Sequence, residues 1–158
     1  MAVDFYLKLD GIDGEAVTKG FEKQISLLSF SWGGSQTSSV AGTGGSGAGK
    51  VDLANLSIMK HMDKATTPVF KAMVKGTHIK TGVLSATKAG SDGKVFLKLS
   101  FEELFVTSQQ VSASSEIPTE SVSFSYNQIK EEYWTQDEKG TLTATGSVTY
   151  NTKTNETK

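Results

Sequence analysis

Apolar residues alternate with polar residues along most of this sequence, and the alternation slips repeatedly by one position. The first run covers residues 3–9 and has an apolar side chain at every second position: Val3, Phe5, Leu7 and Leu9. A period of two is typical of a half-buried β-strand, because successive side chains on a strand point to opposite faces. A turn-forming segment at residues 11–14 ends the run. The chain is therefore predicted to open with a strand.

The slips constrain the fold more than the alternation itself does. The parity of the apolar positions changes between Leu27 and Leu28, Leu53 and Leu56, Phe101 and Leu104, and Tyr126 and Ile129. One inserted residue changes the parity, and a β-bulge or a sharp bend inserts one. Long, bent strands let a single sheet curl until it closes on itself. The pattern predicts a mainly β protein, a single small closed β-barrel of long bent antiparallel strands.

One segment follows a helical period instead. Thr67 is placed to cap a helix, Pro68 suits its first position, and Gly76 suits its end. Apolar residues between them recur at helical spacing: Phe70, Met73 and Val74. We therefore expect one α-helix flanking the barrel, with this apolar stripe turned toward the core.

The last alternating run, residues 141–150, has one face made only of hydroxyl side chains: Thr141, Thr143, Thr145, Ser147 and Thr149. Such a face is polar without being charged, so it suits bulk solvent, a water-lined surface or a partner strand. Residues 151–158 follow as a polar tail. Because about 150 residues is an ordinary length for one core, we predict that residues 1–158 form a single domain.

A low-complexity segment interrupts the strands at residues 36–49, which read QTSSVAGTGGSGAG. Its glycine and serine content is typical of a flexible chain. Strands are predicted directly before and after it, so it separates no two domains. We therefore expect a long extended loop at about residues 36–50, and loops of that length are often functional.

The composition excludes several functions. The chain has no cysteine, which removes disulfides, thiolate nucleophiles and cysteine-ligated metals. The net charge is −1, and all 16 basic residues are lysine, so no arginine is present to bind phosphates or guanines; we expect no nucleic-acid partner. The apolar runs are too short for membrane insertion, and residues 1–10 lack a signal-peptide pattern. We expect a protein that starts in the cytoplasm and does not use the general secretory route.

The motifs that carry chemistry are incomplete. Residues 44–50 match the start of a phosphate-binding loop, G-x-x-x-x-G-K, but Val51 stands where a Ser or Thr must hold magnesium, and a strand-like segment follows. The two histidines, His61 and His78, have only Asp63 near them as a further zinc ligand. No serine lies in a nucleophile elbow. The sequence predicts no enzyme, no cofactor and no metal site.

Seven segments, in their order and spacing, resemble the haemolysin-coregulated protein family, Hcp, the tube subunit of the bacterial type VI secretion system. They are DFYLKLDGIDGE at residues 4–15, LSFSWG at 28–33, GAGKV at 47–51, MDKATTP at 62–68, GTHIK at 76–80, FLKLSFEELFV at 96–106 and PTESVSF at 118–124. The resemblance spans residues 3–150, which is almost the whole chain.

The resemblance implies a small β-barrel with one helix at its side, six copies closing into a ring, and rings stacking into a hollow tube that a contractile sheath drives out of the cell. It implies the type VI sheath and spike proteins, and small effector proteins carried in the lumen, as partners. The loop would reach the neighbouring subunit or ring, so the candidate interface residues are Gln36, Val40, Gly44, Gly49 and Lys50.

Two other functions stay open at this point. A barrel that binds a small ligand needs a roomy apolar cavity with a few polar groups, and an interior filled by Phe5, Phe30, Leu97 and Phe124 would exclude it. A nucleotide-dependent enzyme would have to bind phosphate through Lys50, although Val51 lacks the hydroxyl that holds magnesium in such enzymes.

Overall fold

The computed structural model describes residues 2–38, 48–88 and 93–158. In these ranges the chain forms strands from nearly all of the alternating runs, with one α-helix. In chain order the elements are β1 (Val3–Leu9), β2 (Ile25–Leu27), β3 (Ser29–Ser31), β4 (Gly34–Ser38), β5 (Ala48–Leu53), β6 (Leu56–His61), α1 (Thr66–Lys75), β7 (Ile79–Lys88), β8 (Val95–Ser112), β9 (Thr119–Ser125), β10 (Gln128–Gln136) and β11 (Leu142–Asn151). This confirms a mainly β fold with one helix.

The strands form two packed layers that share β8. Sheet A has the order β2, β1, β7, β8, β10, β11, and it uses residues 95–104 of β8. Sheet B contains β3, β6, β9 and residues 105–112 of β8. All of the pairs are antiparallel. The chain at residues 119–133 thus runs back along the whole of β8 as one long bent hairpin.

The four parity slips have two different structural meanings. The slip after Phe101 is a bend inside β8, where Glu103 adopts a left-handed φ of 51° and the strand passes from sheet A to sheet B. This confirms the predicted bend. At the other three slips one strand ends and another begins, because β2 and β3, β5 and β6, and β9 and β10 are separate strands.

The sheet differs from the predicted closed barrel in one detail, which lies at the slip between Leu27 and Leu28. The path of paired strands begins at β2 and ends at β3, so strand pairing leaves it open. At Leu28 the chain changes its partner from β1 to β6, and the Leu28 N–H donates to the Met59 carbonyl oxygen at 2.7 Å. The slip interrupts the ladder of hydrogen bonds between strands, so the two ends of the sheet, β2 and β3, are connected only by the continuous chain through Leu28.

The inward faces of the two sheets enclose one core. Sheet A contributes side chains such as Leu7, Leu84 and Phe101, and sheet B contributes Ile58 and Phe124, all almost fully buried. Burying one such side chain stabilises the fold by roughly 1.5–3 kcal/mol. The outward faces of the sheets consequently point away from each other on opposite sides of the molecule.

The predicted apolar stripe on the helix was correct at Met73 and wrong at Phe70 and Val74. Phe70 and Val74 are 54% and 67% exposed, and the buried helix residues are Thr66, Val69 and Ala72, with Met73 packed against the core. The buried residues Thr66, Val69 and Ala72 are three positions apart, so they lie on the neighbouring face of the helix. Because Thr66 is polar, the pattern of apolar residues did not indicate this face.

The ends of the helix were half correctly predicted. Gly76 ends α1 in the left-handed conformation, with φ of 64°, as expected. The expected Thr67 cap is wrong, because the helix begins at Thr66 and Ala65 is its N-cap residue. The turn before it is held differently, since the Asp63 carboxylate accepts from the Ala65 N–H at 2.9 Å and the Thr66 hydroxyl accepts from the Asp63 N–H at 3.0 Å.

The predicted all-hydroxyl face of the last strand is also wrong. The register between β10 and β11 shifts, since Tyr133 pairs with Gly146 and Trp134 pairs with Ala144. Thr145 is left as a bulged residue, so Leu142 and Ala144 join the side of Ser147 and Thr149. The polar tail turns back and pairs with β11, with a bridge between Tyr150 and Thr157.

Both ends of the predicted extended loop, residues 36–38 and 48–50, lie in strands. β4 and β5 form a two-stranded antiparallel hairpin, in which Gln36 pairs with Val51 and Ser38 with Ala48. Gln36, Gly49 and Lys50 therefore lie in paired strands. Val40 and Gly44 lie outside the described residues.

Candidate functional site

A buried ion pair lies between the two layers, close to the start of the helix. Lys60 on β6 and Glu120 on β9 are cross-strand partners on the inward face of sheet B, and each is only 1% exposed. The Lys60 ammonium contacts the Glu120 carboxylate, and it lies 2.8 Å from Asp63 Oδ1. It also donates to the His61 carbonyl oxygen at 3.1 Å. A charge this deep is tolerated only when it is paired and hydrogen-bonded, as it is here.

Two uncharged side chains complete this buried network. The Thr66 hydroxyl donates to Glu120 Oε1 at 3.1 Å, and Gln109 Nε2 donates to Glu120 Oε2 at 3.0 Å and to the Thr66 carbonyl oxygen at 3.2 Å. Both carboxylate oxygens of Glu120 are therefore hydrogen-bonded. The buried network joins β6, β9, β8 and α1, so it fixes the helix against sheet B and has no access for a substrate.

The sequence analysis missed these residues, although a signal was present. Lys60 continues the parity of Leu56 and Ile58, and Glu120 precedes Val122 and Phe124 at the same parity. A charged residue on the apolar side of each of two strands indicates a buried ion pair between them.

The outward face of sheet B carries three rows of small polar side chains. The first row is Ser31, Ser57, Ser123 and Ser108; the second is Ser29, Met59, Ser121 and Gln110; the third is His61, Thr119 and Ser112. We call these residues the hydroxyl face, because all of them except Met59, His61 and Gln110 carry a hydroxyl. The Oγ atoms of Ser57 and Ser123 lie 3.2 Å apart within hydrogen-bonding distance.

The hydroxyl face contains no lysine, aspartate or glutamate, whereas 21% of the chain is charged. Hydroxyl groups both donate and accept hydrogen bonds and rotate to suit either water or a passing polar group. A surface with these properties stays wet and holds neither acidic nor basic partners tightly.

A second surface feature lies between the two hairpins. A cleft of about 510 Å³ opens between the β4–β5 hairpin and the β10–β11 hairpin. Its walls include two of the predicted interface residues, Gln36 and Lys50, and an apolar strip formed by Trp32, Leu53, Ile129, Val148 and Tyr150. Gly49 is the neighbour of Lys50 in β5. The structure thus brings Gln36, Gly49 and Lys50 together at one hairpin.

Tyr126 links this hairpin to the point where the chain leaves sheet B for sheet A. Its hydroxyl accepts a hydrogen bond from Trp32 Nε1 at 2.6 Å and donates one to the Ala54 carbonyl oxygen at 2.8 Å. Burial raises the pKa of Tyr126 above its ordinary value of 10.0, and the hydrogen bond from Trp32 partly opposes this rise. The phenol is therefore held in its neutral form at the junction.

The motifs considered for chemistry lie apart from one another. Val51 lies in β5, which confirms that a strand follows the glycine-rich sequence. His61 belongs to the hydroxyl face, and the His78 ring lies 4.0 Å from the Phe105 ring. Within residues 2–38, 48–88 and 93–158, no three His, Cys, Asp or Glu side chains are grouped so as to hold a metal ion. Across the same ranges, no helix is long and apolar enough to span a bilayer.

The interior offers little room for a small ligand. Phe124 is fully buried, Phe5 and Phe30 pack edge to face with ring centroids 5.2 Å apart, and Leu97 packs against the same core. These are the four side chains expected to fill a barrel that holds no ligand. The packing therefore speaks against the ligand-binding alternative.

Comparison with known proteins points to one family. The family model described as "Type VI secretion system effector, Hcp" matches residues 6–133. Protein hcp1 of Pseudomonas aeruginosa is 34% identical over 143 residues, which covers 89% of this chain and 88% of that protein. A solved structure of a type six secretion system protein has a TM-score of 0.93 and 31% identity, and covers 99% of this chain and 100% of the other. Hcp1 from Salmonella typhimurium has a TM-score of 0.78 and 29% identity, with coverage of 99% and 100%.

Proposed function

The chain belongs to the Hcp family of type VI secretion proteins, and from this membership we propose that it is a ring-forming tube subunit of that system. In this proposal residues 1–158 act as one domain, and six copies close around a channel lined by the hydroxyl face. The protein waits in the cytoplasm, carries small effector proteins in the channel, and is expelled with them by the sheath and behind the spike. It performs no catalysis of its own.

The hydroxyl face is the observation that carries this proposal. A channel wall must let varied cargo pass without holding it, and a wall of serine and threonine exchanges its hydrogen bonds with water as readily as with cargo. A lysine or glutamate in the wall would be repeated in every copy and would repel or retain charged cargo. The three rows of the face avoid such residues across all four strands.

The edges of sheet B support closure into a ring. Within the described residues, β3 pairs only with β6, and residues 105–112 of β8 pair only with β9. Each edge therefore offers backbone N–H and C=O groups to another strand. Contact between two different edges is heterologous, and such a contact generates a closed ring when the rotation between copies closes. We propose that neighbouring copies meet edge to edge along sheet B.

The β4–β5 hairpin is the proposed second contact between copies. It stands away from the two layers and pairs with no other strand in the part of the chain that the structure describes. Gln36, Gly49 and Lys50 belong to it, and Val40 and Gly44 are included in the proposal from the sequence. Val148, which is 56% exposed, lies in the cleft beside it, and exposed apolar side chains of this kind are buried by association.

Light scattering on the purified protein tests the proposal. A hexamer of this 16.9 kDa chain has a mass of roughly 101 kDa. We expect this mass, or a multiple of it from stacked rings, over a wide range of protein concentration. A monomer mass throughout that range would overturn the proposal.

A further inference from the structure

A large groove crosses the outward face of sheet A, on the side of the molecule opposite the hydroxyl face. Its volume is about 1050 Å³. The floor is formed by strand residues of β1, β7 and β8, and the segment at residues 18–24 overhangs one side. The side chains that matter below are Lys8, Lys19, Gln24, Lys98 and Trp134.

Among the described residues that line the groove, the charge is of one sign. Three of them are lysines and none is an aspartate or glutamate, although the whole chain has a net charge of −1. Lys8 and Lys98 form no ion pair within the described part of the chain. Glu22 interacts electrostatically with Lys19, and the backbone N–H groups of Glu22 itself and of Gly20 hydrogen-bond the Glu22 carboxylate and lower its pKa.

The overhanging segment is fixed in place. Phe21 stacks on Tyr6 with ring centroids 4.4 Å apart, and the Tyr6 hydroxyl donates to Thr18 Oγ1 at 3.0 Å. A backbone hydrogen bond from the Gly14 N–H to the Lys23 carbonyl oxygen, at 2.7 Å, also holds this segment against the preceding chain. The groove is therefore preformed, which reduces the conformational entropy that the protein loses when a ligand binds.

Gln24 supplies an unused acceptor in the wall of the groove. Its Oε1 atom is buried and has no hydrogen-bond partner, and it is the only such side-chain atom within the described residues. Turning this side chain toward the groove presents the oxygen to an N–H group, which is what a peptide backbone offers. Trp134 offers an aromatic face to an apolar side chain from the same ligand.

We propose that this groove, which we call the lysine groove, binds an acidic extended polypeptide segment that carries an apolar residue. Its carboxylates lie against Lys8 and Lys98, its backbone N–H meets Gln24, and its apolar side chain lies on Trp134. A nucleic acid fits the site less well, because the chain has no arginine to bind its phosphates bidentately.

The inference names a partner for the outer surface of the ring, and it rests on the proposed function. If the hydroxyl face lines the channel, the lysine groove faces the protein that surrounds the tube. The partner is then an acidic segment on the inner surface of that surrounding protein. Many identical weak contacts of this kind hold a tube in place and still let it move, because binding at each groove is reversible and screened by salt.

Fluorescence anisotropy with a labelled peptide of alternating glutamate and leucine tests the inference. We expect the double variant Lys8→Gln with Lys98→Gln to bind the peptide roughly tenfold more weakly, since two partly exposed ion pairs are lost. The matched control, Lys71→Gln with Lys139→Gln, removes the same charge at two exposed lysines outside the groove and should bind like the parent protein. Added salt should weaken binding to the parent more than to the groove variant.

Equal affinities of the two double variants would overturn the inference, and so would equal binding of a peptide of alternating lysine and leucine. Tighter binding of a single-stranded oligonucleotide than of the acidic peptide would overturn it in favour of a nucleic-acid site. Light scattering on the same samples keeps the two proposals distinct. If the parent protein has the ring mass but does not bind the acidic peptide, the lysine groove alone is refuted, whereas a monomer mass refutes the proposed function.

Discussion

The hydroxyl face and the lysine groove lie on opposite sides of one core, and their chemistry differs. The hydroxyl face has no lysine, aspartate or glutamate and is built entirely from strand residues of sheet B. The lysine groove is cationic and concave, and part of its wall is a loop rather than a strand. A free monomer gives no reason for this asymmetry, because both sides would meet the same solvent. The difference indicates that the two sides meet different surroundings.

The two sides also differ in what lies beneath them. Under the hydroxyl face is the buried network around Lys60 and Glu120, which ties three strands to the helix. On the groove side the corresponding ion pair, Lys130 with Glu132, lies near the surface at 3.7 Å. The ion pair of sheet B thus lies in the interior of the protein, whereas the ion pair of sheet A lies near the surface.

The largest expected effect comes from removing the buried charge. Replacing Lys60 with Met leaves Glu120 buried without its partner, so we expect the free energy of unfolding to fall by about 3–5 kcal/mol. The matched control is Lys130→Met, which removes a half-exposed lysine and should cost less than about 1 kcal/mol. Urea denaturation measures both. Adding Glu120→Met to the first variant should restore much of the loss, and similar losses for the two single variants would contradict the contrast between the sides.

The next effect concerns the loop that overhangs the groove. A Cβ at Gly14 would lie 2.4 Å from the Gln24 carbonyl oxygen and 2.5 Å from the Ile25 Cα, both backbone atoms. We expect Gly14→Ala to destabilise the protein by about 1–3 kcal/mol and to weaken binding at the lysine groove. The control is Gly33→Ala, which meets no atom within 4 Å and should change stability by less than about 1 kcal/mol. If thermal denaturation does not separate the two variants, the loop is not packed as described.

A third prediction exchanges the chemistry of the hydroxyl face. Introducing Ser121→Lys with Ser123→Lys should leave the ring mass unchanged and reduce export of a type VI effector by about tenfold, because every copy then adds two charges to the channel wall. Thr143→Lys with Thr135→Lys places the same charges on the exposed β10–β11 hairpin and is the control. An immunoblot of secreted effector measures export. Equal export by both double variants would mean that the hydroxyl face does not meet the cargo.

The smallest effect tests the junction between the sheets at Tyr126. Burial raises the pKa of Tyr126 in the folded protein, so the unfolded chain loses the phenol proton at a lower pH than the folded protein does. The neutral Tyr126 phenol therefore contributes its full stabilisation below pH 10, and this stabilisation is lost as the pH rises through the folded-state pKa. Tyr126→Phe should lower stability by about 1 kcal/mol at neutral pH and should show a shallower decline above pH 10. The exposed Tyr133→Phe serves as the control. Denaturation curves recorded below and above pH 10 measure the free energy of unfolding of the parent protein and the two variants. If this free energy declines with pH in the same way for all three proteins, the role of Tyr126 is refuted.

The sequence predicted the fold class, the single helix and the bend in β8 from periodicity alone. It could not distinguish a bend from a strand end, because both change the parity of the apolar residues in the same way, as at Leu27 and Phe101. It also chose the wrong side of the helix, since Thr66 is polar and is buried only because Glu120 accepts its hydrogen bond.

The candidate surfaces were less predictable than the fold. The expected hydroxyl row on β11 is broken by the bulge at Thr145. The isolated glycine beside it, Gly146, which has a φ of 134°, was the available signal, because a glycine inside a strand pattern often marks a bulge. The actual hydroxyl face is made of short serine rows on four strands, and only the register of those strands brings the rows together. The lysine groove likewise combines Lys8 and Lys98, which are far apart in the chain.

Electron cryomicroscopy of the purified rings tests the central claim most directly, because it shows which side of the subunit faces the channel. We predict a closed ring in which Ser57, Ser121 and Ser123 line the channel and Lys8 and Lys98 lie on the outer surface. A ring with the hydroxyl face buried between copies or turned outward, or with the lysine groove facing the channel, would contradict the account.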